Sequence, residues 1–285
     1  MTRRAVTRPF SGLAAAVIVG LLAASLAAPA TAIAAGPTIS EAEQQLVNLL
    51  NKDRTDLGLV PVRVDSRLMA IARARSVDMA TKGYFSHTQP DGKNVFDILK
   101  AKKITWYNAG EIIAYNTYPE LDVATGVANW QWMNSPGHKA IVVSTSMNYV
   151  GVGIAIDANG KKLFTAVYIK GPDRTGAKSK TNTPKVTAGS TAATRKVTVS
   201  WTGADVKLQV LTSGFHSWQV QRRTDGGDWQ IVWIGTTKSS MTLDLPGGHT
   251  YEFRTAARDN AGNWGGWSPV KVSLPRVVGS ASTGR

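Results

Sequence analysis

Between residues 40 and 59 apolar side chains recur at three- and four-residue intervals, with Leu46, Val47, Leu49, Leu50 and Leu57 on one helical face. Ser40 followed by Glu43 reads as a capping box that opens this helix, and Gly58 as its stop. A second stripe, Leu68, Ile71, Ala72 and Met79, predicts a helix over 66–82 closed by Gly83. YFSHTQPDGK (84–93) then turns at Pro90 and Asp91-Gly92, and NVFDILKAKK (94–103) reads as a short helix. Residues 121–134 predict another, with Val123, Val127, Trp130 and Met133 along one side. The period then shortens. YVGVGIAID (149–157) and KLFTAVYIK (162–170) read as strands joined at Asn159-Gly160, a strong hairpin signal.

After Gly171 the pattern stops. Residues 172–184 hold Lys, Thr and Gly without apolar periodicity and read as a linker. Beyond it come KVTVSW (196–201), SWQVQRR (217–223), WQIVWIG (229–235), SMTLDL (240–245), YEFRTAARD (251–259) and VKVSL (270–274), separated by Gly- and Pro-bearing turns. Short strands at that spacing predict a β-sandwich over 185–276, followed by a flexible tail, 277–285. The fold class is α+β: a mixed first domain over 38–171, then an all-β sandwich.

The first residues stand outside both. Arg3, Arg4 and Arg8 precede an apolar run, Leu13–Ala28, of roughly 16 residues, short of the roughly 20 that span a bilayer. APATA (28–32) then supplies an Ala-x-Ala cleavage pattern. Residues 1–32 read as a signal peptide cleaved after Ala32, with Ala34 and Ala35 as alternatives. Arg3-Arg4 hints at twin-arginine export, but the following AVT fits it poorly. No later apolar run is long enough to cross a membrane, so the mature chain is expected to be secreted or associated with the cell envelope, and monomeric.

Removing three arginines and no acids takes the net charge from +14 to +11. Residues 36–173 carry 15 Lys/Arg against 13 Asp/Glu, whereas 174–285 carry 15 against 6. Outside a cell, that asymmetry points to anionic wall polymer or lipid headgroups as partners, or to solubility alone, and away from nucleic acid. The absence of cysteine excludes disulfides, thiolate metal sites and a Cys nucleophile.

Three small constellations carry candidate chemistry: Phe85-Ser86-His87, Gly110-Glu111 and Gly137-His138, each where one predicted element ends and another begins. No GxSxG and no HExxH is present. Glu41, Glu43, Asp53 and Asp56 read as a solvated helix face, and His216 and His249 as ordinary surface residues.

The ordered set LVNLLNKDR (46–54), DSRLMAIARARSVDM (65–79), FSH (85–87), GEIIA (110–114), WMNSPGHK (132–139) and VGVGIA (150–155) resembles the CAP superfamily of cysteine-rich secretory, antigen 5 and pathogenesis-related proteins, in its cysteine-free bacterial form. That resemblance implies an α-β-α sandwich with a cleft lined by two histidines and two acids. On matching positions these are His87, Glu111 and His138; with WMNS aligned to the family's helix end, the second acid falls near Ser135, so three of the four are kept. Lys139 stands where the family usually has Arg, and Ile141 where it often has Asn. The second part resembles a fibronectin type III module in Trp201, LPGGHTYEFR (245–254) and RDNAGNWGGWSP (258–269).

The reading that follows is a secreted binding or cell-envelope interaction protein, with a wall polymer, lipid or peptide as ligand and no established reaction. The alternative is a Zn2+-dependent hydrolase acting on peptide or cell-wall material, with His87, His138 and Glu111 as ligands or Glu111 as the catalytic group. Trp264 and Trp267, in a Gly-rich loop, could stack on sugar rings or fill the end of the sandwich.

Overall fold

The computed structural model describes residues 36–276; the expected signal peptide (1–32) and tail (277–285) lie outside the described residues. Helix α1 (Ile39–Asp56) begins two residues earlier than its sequence pattern suggests: Thr38, not Ser40, is the N-cap, and Glu41 completes the capping box. Glu43 is therefore free for another task. It is buried, and Arg73 grips both its carboxylate oxygens. Asp53 accepts from Asn129 at 2.9 Å, so two of the four acids expected on a solvated face are tied inward.

Helix α2 (Ser66–Lys82) is capped by the Asp65 carboxylate, which accepts from the Arg67 amide, and closes on Gly83 in the left-handed region. Four strands lie between α2 and α1: β1 (Arg63–Val64), β2 (Asn108–Asn116), β3 (Tyr149–Ile156) and β4 (Lys162–Lys170). They form one sheet of order β1-β3-β4-β2. Alternation along β4 sends Phe164, Ala166 and Tyr168 to one face. There they meet Leu46 and Leu50 of α1, Ala128 and Trp132 of α4 (Leu121–Met133), and Val142 of α5 (Pro136–Val142). Val167 and Ile169 face the other way, toward Leu68 and Ile71 of α2 and Leu99 of α3 (Val95–Ala101). The result is an α-β-α sandwich.

Two glycines of β3 set the distance between sheet and helix. A Cβ on Gly151 would stand 2.1 Å from the Leu68 carbonyl carbon, and one on Gly153 would stand 2.2 Å from the Arg73 amide nitrogen. The VGVG pattern lets the α2 backbone lie directly on the strand. On α4 the inward side is Ala124, Ala128 and Trp132, while Val123 and Trp130, on the predicted apolar side, are exposed.

The expected linker is structured over part of its length. Ala177 is buried, and Lys178–Thr181 forms strand β5, antiparallel to β7 (Thr194–Ala204). Its lysines hid this strand because they point to solvent from a sheet edge. Strand β6 (Lys185–Ala188) also pairs with β7, across from β10 (Ser240–Pro246) on the other side of that strand. The other sheet is built from β8 (Phe215–Thr224), β9 (Gln230–Thr236), β11 (Thr250–Asp259) and β12 (Ser268–Ser273), in the order β12-β11-β8-β9. Trp201, Trp218, Val199, Val220 and Phe253 are packed together in a second core.

The all-β part is anchored to the sandwich. Asn148, fully buried, donates to the carbonyls of Gly171 (2.8 Å) and Val210 (3.2 Å) and accepts from the Gly171 amide. Leu208, from the segment between β7 and β8, sits buried among Leu68, Ile71 and Tyr149.

Candidate functional site

One turn before Met79, the inward stripe of α2 carries an arginine. Arg75 is buried, and its Nε donates to Glu111 Oε1 at 2.8 Å. Nη1 donates to the Tyr84 hydroxyl at 2.7 Å, and Nη2 to the carbonyls of Ser86 and His87 at 2.8 and 3.2 Å. Burial pushes this guanidinium down, but hydrogen bonding to and the charge of Glu111 outweigh it and hold the group above its ordinary value. Tyr84 in turn donates to Asp78, and burial together with that bond pushes its hydroxyl up to about 12. The FSH segment is thus hung on the helix by one buried cation.

Glu111, in β2, has its second oxygen 2.8 Å from His87 Nδ1. With Glu111 ionised and accepting, the imidazole proton belongs on Nδ1 and Nε2 is left outward. His87 is exposed, whereas the Glu111 side chain is 3% exposed. Beside this pair runs an open cleft of about 370 Å³, walled by Phe85, Tyr115, Trp132, Gln131, Ser135 and His138. Phe85 and Tyr115 meet edge to face with centroids 4.8 Å apart. His138, the third residue of α5, is held below its ordinary value by burial and by His87. The cleft follows the free side of β2, which among the described residues is an edge strand paired with β4 alone. Tyr115 gives its carbonyl to Gln131 Nε2 at 3.3 Å, so Tyr115 and Ile113, two residues apart, present backbone groups away from β4.

Residues 47–168 match the model of the cysteine-rich secretory protein (CAP) family. That segment is a CAP domain. The chain is 36% identical over 132 residues to the uncharacterized protein YkwD of Bacillus subtilis, covering 44% of this chain and 49% of that one. It is 30% identical over 128 residues to the uncharacterized membrane protein YlbC of the same organism, covering 45% and 34%. The chain thus spans half or less of the curated relatives it matches. Among solved structures it is similar to an extracellular protein containing a SCP domain from Bacillus anthracis, at 27% identity and TM-score 0.41, covering 48% of this chain and 45% of that one. An outer surface protein of Borrelia burgdorferi aligns at 18% identity and TM-score 0.43, covering 48% and 98%.

The zinc set expected in the CAP domain does not assemble. Among the described residues, the one trio of His, Asp or Glu side chains with donor atoms all within 4.8 Å of one another is Asp173, Asp205 and Asp259. Those three accept loop amides, from Ser213, Gly214 and Asn263 respectively, and tie three loops together. His87, Glu111 and His138 are not such a trio. Both Glu111 oxygens are taken, and a guanidinium 2.8 Å away would repel a second cation. The donor set does not fit zinc.

The CAP domain does bring His87 against Glu111, and His138 and Ser135 into the adjoining cleft. Gly110 has a packing reason, since a Cβ there would stand 3.1 Å from Ile141; a Cβ on Gly137 would meet nothing. Sequence reasoning missed Arg75, although an arginine inside an apolar i, i+3, i+4 stripe was the signal, and it missed the Phe85–Tyr115 wall. In the all-β part, Trp264 and Trp267 are already engaged: the Arg258 guanidinium lies 5.9 Å from the Trp264 ring centre, and Arg254 lies 4.4 Å from that of Trp267. His249 has an acidic partner that sequence distance concealed, Asp225 at 2.6 Å.

Proposed function

We propose that this chain is an exported binding protein whose CAP-domain cleft takes an extended peptide segment, by strand addition along the free side of β2. The observation that carries the reading is the course of the cleft. Ile113, Ala114 and Tyr115 line it as consecutive residues of an edge strand, beside the Phe85 ring of the FSH segment. A peptide would gain backbone hydrogen bonds from the strand and apolar contacts from the exposed rings of Phe85 and Tyr115. His138 and Ser135 would supply polar contacts at one end. Arg75 and Glu111 hold the FSH wall in place, which favours positioning over hydrolysis for the His87–Glu111 pair. Export is supported by the N-terminal charge, apolar run and Ala-x-Ala pattern. No described helix is long and apolar enough to cross a membrane.

The all-β part reads as a fibronectin type III-like module. Tyr251 supports this: its hydroxyl donates to the Pro246 carbonyl at 3.1 Å, five residues upstream, in the manner of the tyrosine corner of immunoglobulin-like sandwiches.

The test is to pan a displayed library of random peptides against residues 36–285, then measure enriched peptides by calorimetry. Binding is expected to weaken at least tenfold in Phe85→Ala/Tyr115→Ala with the melting transition retained. It should not depend on added zinc. No enrichment, or affinity indifferent to both aromatic residues, would overturn the reading.

A further inference from the structure

At the opposite edge of the same sheet, where β1 meets the start of α2 and the segment after β4, lies an open pocket of about 510 Å³. Three arginines line it: Arg63 from β1, Arg67 from the first turn of α2, and Arg174 from the segment leading to β5. Asp65 is the one acid among the lining residues, which leaves two positive charges uncompensated. That acid is already committed. It accepts from Arg67 Nε at 2.9 Å and also contacts Arg67 Nη2, while it caps α2.

Each of the other two guanidinium groups keeps one unpaired donor among the described residues. Arg63 Nε and Arg174 Nη1 are shielded from solvent and have no hydrogen-bond partner among the described residues. Arg174 Nη1 stands 3.8 Å from Asp65 Oδ2, close enough for attraction and too far for a hydrogen bond. Among the described residues Arg63 reaches the Lys207 carbonyl, through Nη2 at 3.4 Å. Buried N–H donors in native structures are nearly always paired, and charged ones are the costliest to leave unpaired. Three guanidinium-bearing side chains around one open pocket, with surplus positive charge, suit an anion that accepts from several directions.

We infer that this pocket binds a phosphate-type oxyanion, held between Arg63, Arg67 and Arg174. A tetrahedral anion offers oxygens to three guanidinium groups arriving from separate elements. A planar carboxylate is matched by a single arginine fork. The Thr175 hydroxyl, 3.2 Å from that of Tyr149, adds a neutral donor at the rim. Because β1 and α2 belong to the CAP domain and Arg174 lies beyond it, the bound anion would bridge the CAP domain to the segment that leads into the all-β part.

The same chemistry is offered by free phosphate and by a phosphodiester polymer, so the experiment carries both. Residues 36–285 are titrated calorimetrically with inorganic phosphate and with a synthetic glycerol-phosphate oligomer. Saturable one-to-one binding of phosphate is expected, weakened tenfold or more in Arg174→Gln and in Arg63→Gln. Arg63→Lys, which keeps the charge, should lose less, and Lys185→Gln, an exposed lysine elsewhere, should lose nothing. Tighter binding of the oligomer than of phosphate identifies a polymer ligand; equal affinity per phosphate identifies the free ion. The assignment is overturned if neither probe gives saturable heat. It is equally overturned if Lys185→Gln weakens binding as much as the arginine variants, since that is the signature of diffuse charge attraction.

Discussion

Replacing Glu111 by glutamine keeps the shape of the side chain and strips the charge that Arg75 faces. Both side chains are almost wholly buried, at 1% and 3% exposure, so solvent cannot take over the lost interaction. Removing one partner of such a pair leaves an uncompensated buried ion, a loss of about 3–5 kcal/mol. His87 offers an internal comparison, because it bonds the same carboxylate from a side chain that is 54% exposed. His87→Ala should therefore cost only about 0.5–1.5 kcal/mol, the worth of an ordinary hydrogen bond, or less with solvent screening. Urea unfolding of residues 36–285, followed by tryptophan fluorescence, separates the two through their midpoints at constant slope. In thermal terms a loss of about 4 kcal/mol lowers the midpoint by roughly 8–16 °C for a unit of this size. A double replacement, Arg75→Met with Glu111→Leu, removes both charges and should recover most of the loss. Equal, small effects of Glu111→Gln and His87→Ala would refute the reasoning. Glu111 would then not be the counter-ion of Arg75, and its role as ligand or base would reopen.

Gly153→Ala should destabilise by about 3 kcal/mol or more, beyond the usual range for overpacking, because its Cβ meets the α2 backbone at 2.2 Å and no side chain can yield; urea unfolding again reports it. Leu208→Ala should cost about 2–5 kcal/mol and speed trypsin cleavage after Arg174, since Leu208 fills the core beneath α2. Zinc titrated into the chain should give no saturable heat, and His87→Ala should leave that trace unchanged. One tight equivalent lost on replacing His87 would restore the metal reading.

Helix α2 was legible in the sequence, because its apolar stripe and closing glycine are both local. The Asn159-Gly160 hairpin and six strands of the second part were legible for the same reason, each announcing itself through alternation and turn residues. What stayed hidden depended on distant partners. Strand β5 reads KSKT, and nothing in four polar residues says that β7 lies beside them. Glu43 looked solvated until Arg73, thirty residues on, came to meet it. The outward side of α4 carries Val123 and Trp130, so apolarity alone chose the wrong face, while small Ala124 and Ala128 let α1 approach. The site followed the same division. The family resemblance implied a cleft shared by His87, Glu111 and His138, whereas the buried arginine that bonds the carboxylate emerged only from packing.

The cleft and the basic pocket trace back to one property of the sheet. In the order β1-β3-β4-β2 the two inner strands are sealed on both faces, by α2 pressed onto the β3 glycines and by α1 and α4 on the other side. Backbone groups can meet a ligand only at the outer strands, and the two differ. Strand β2 is nine residues long and borders aromatic rings, conditions that suit a peptide laid along it. Strand β1 is two residues long, too short to template another strand, and it ends at the cap of α2 beside arginines, conditions that suit a compact anion. With three strand spacings of about 4.8 Å between them, the edges are roughly 14 Å apart, far enough for substitutions at one site to leave the other unaffected. A sheet of this kind can therefore hold a chain at one side and a charge at the other, with the rigid interior doing no more than keeping the two apart.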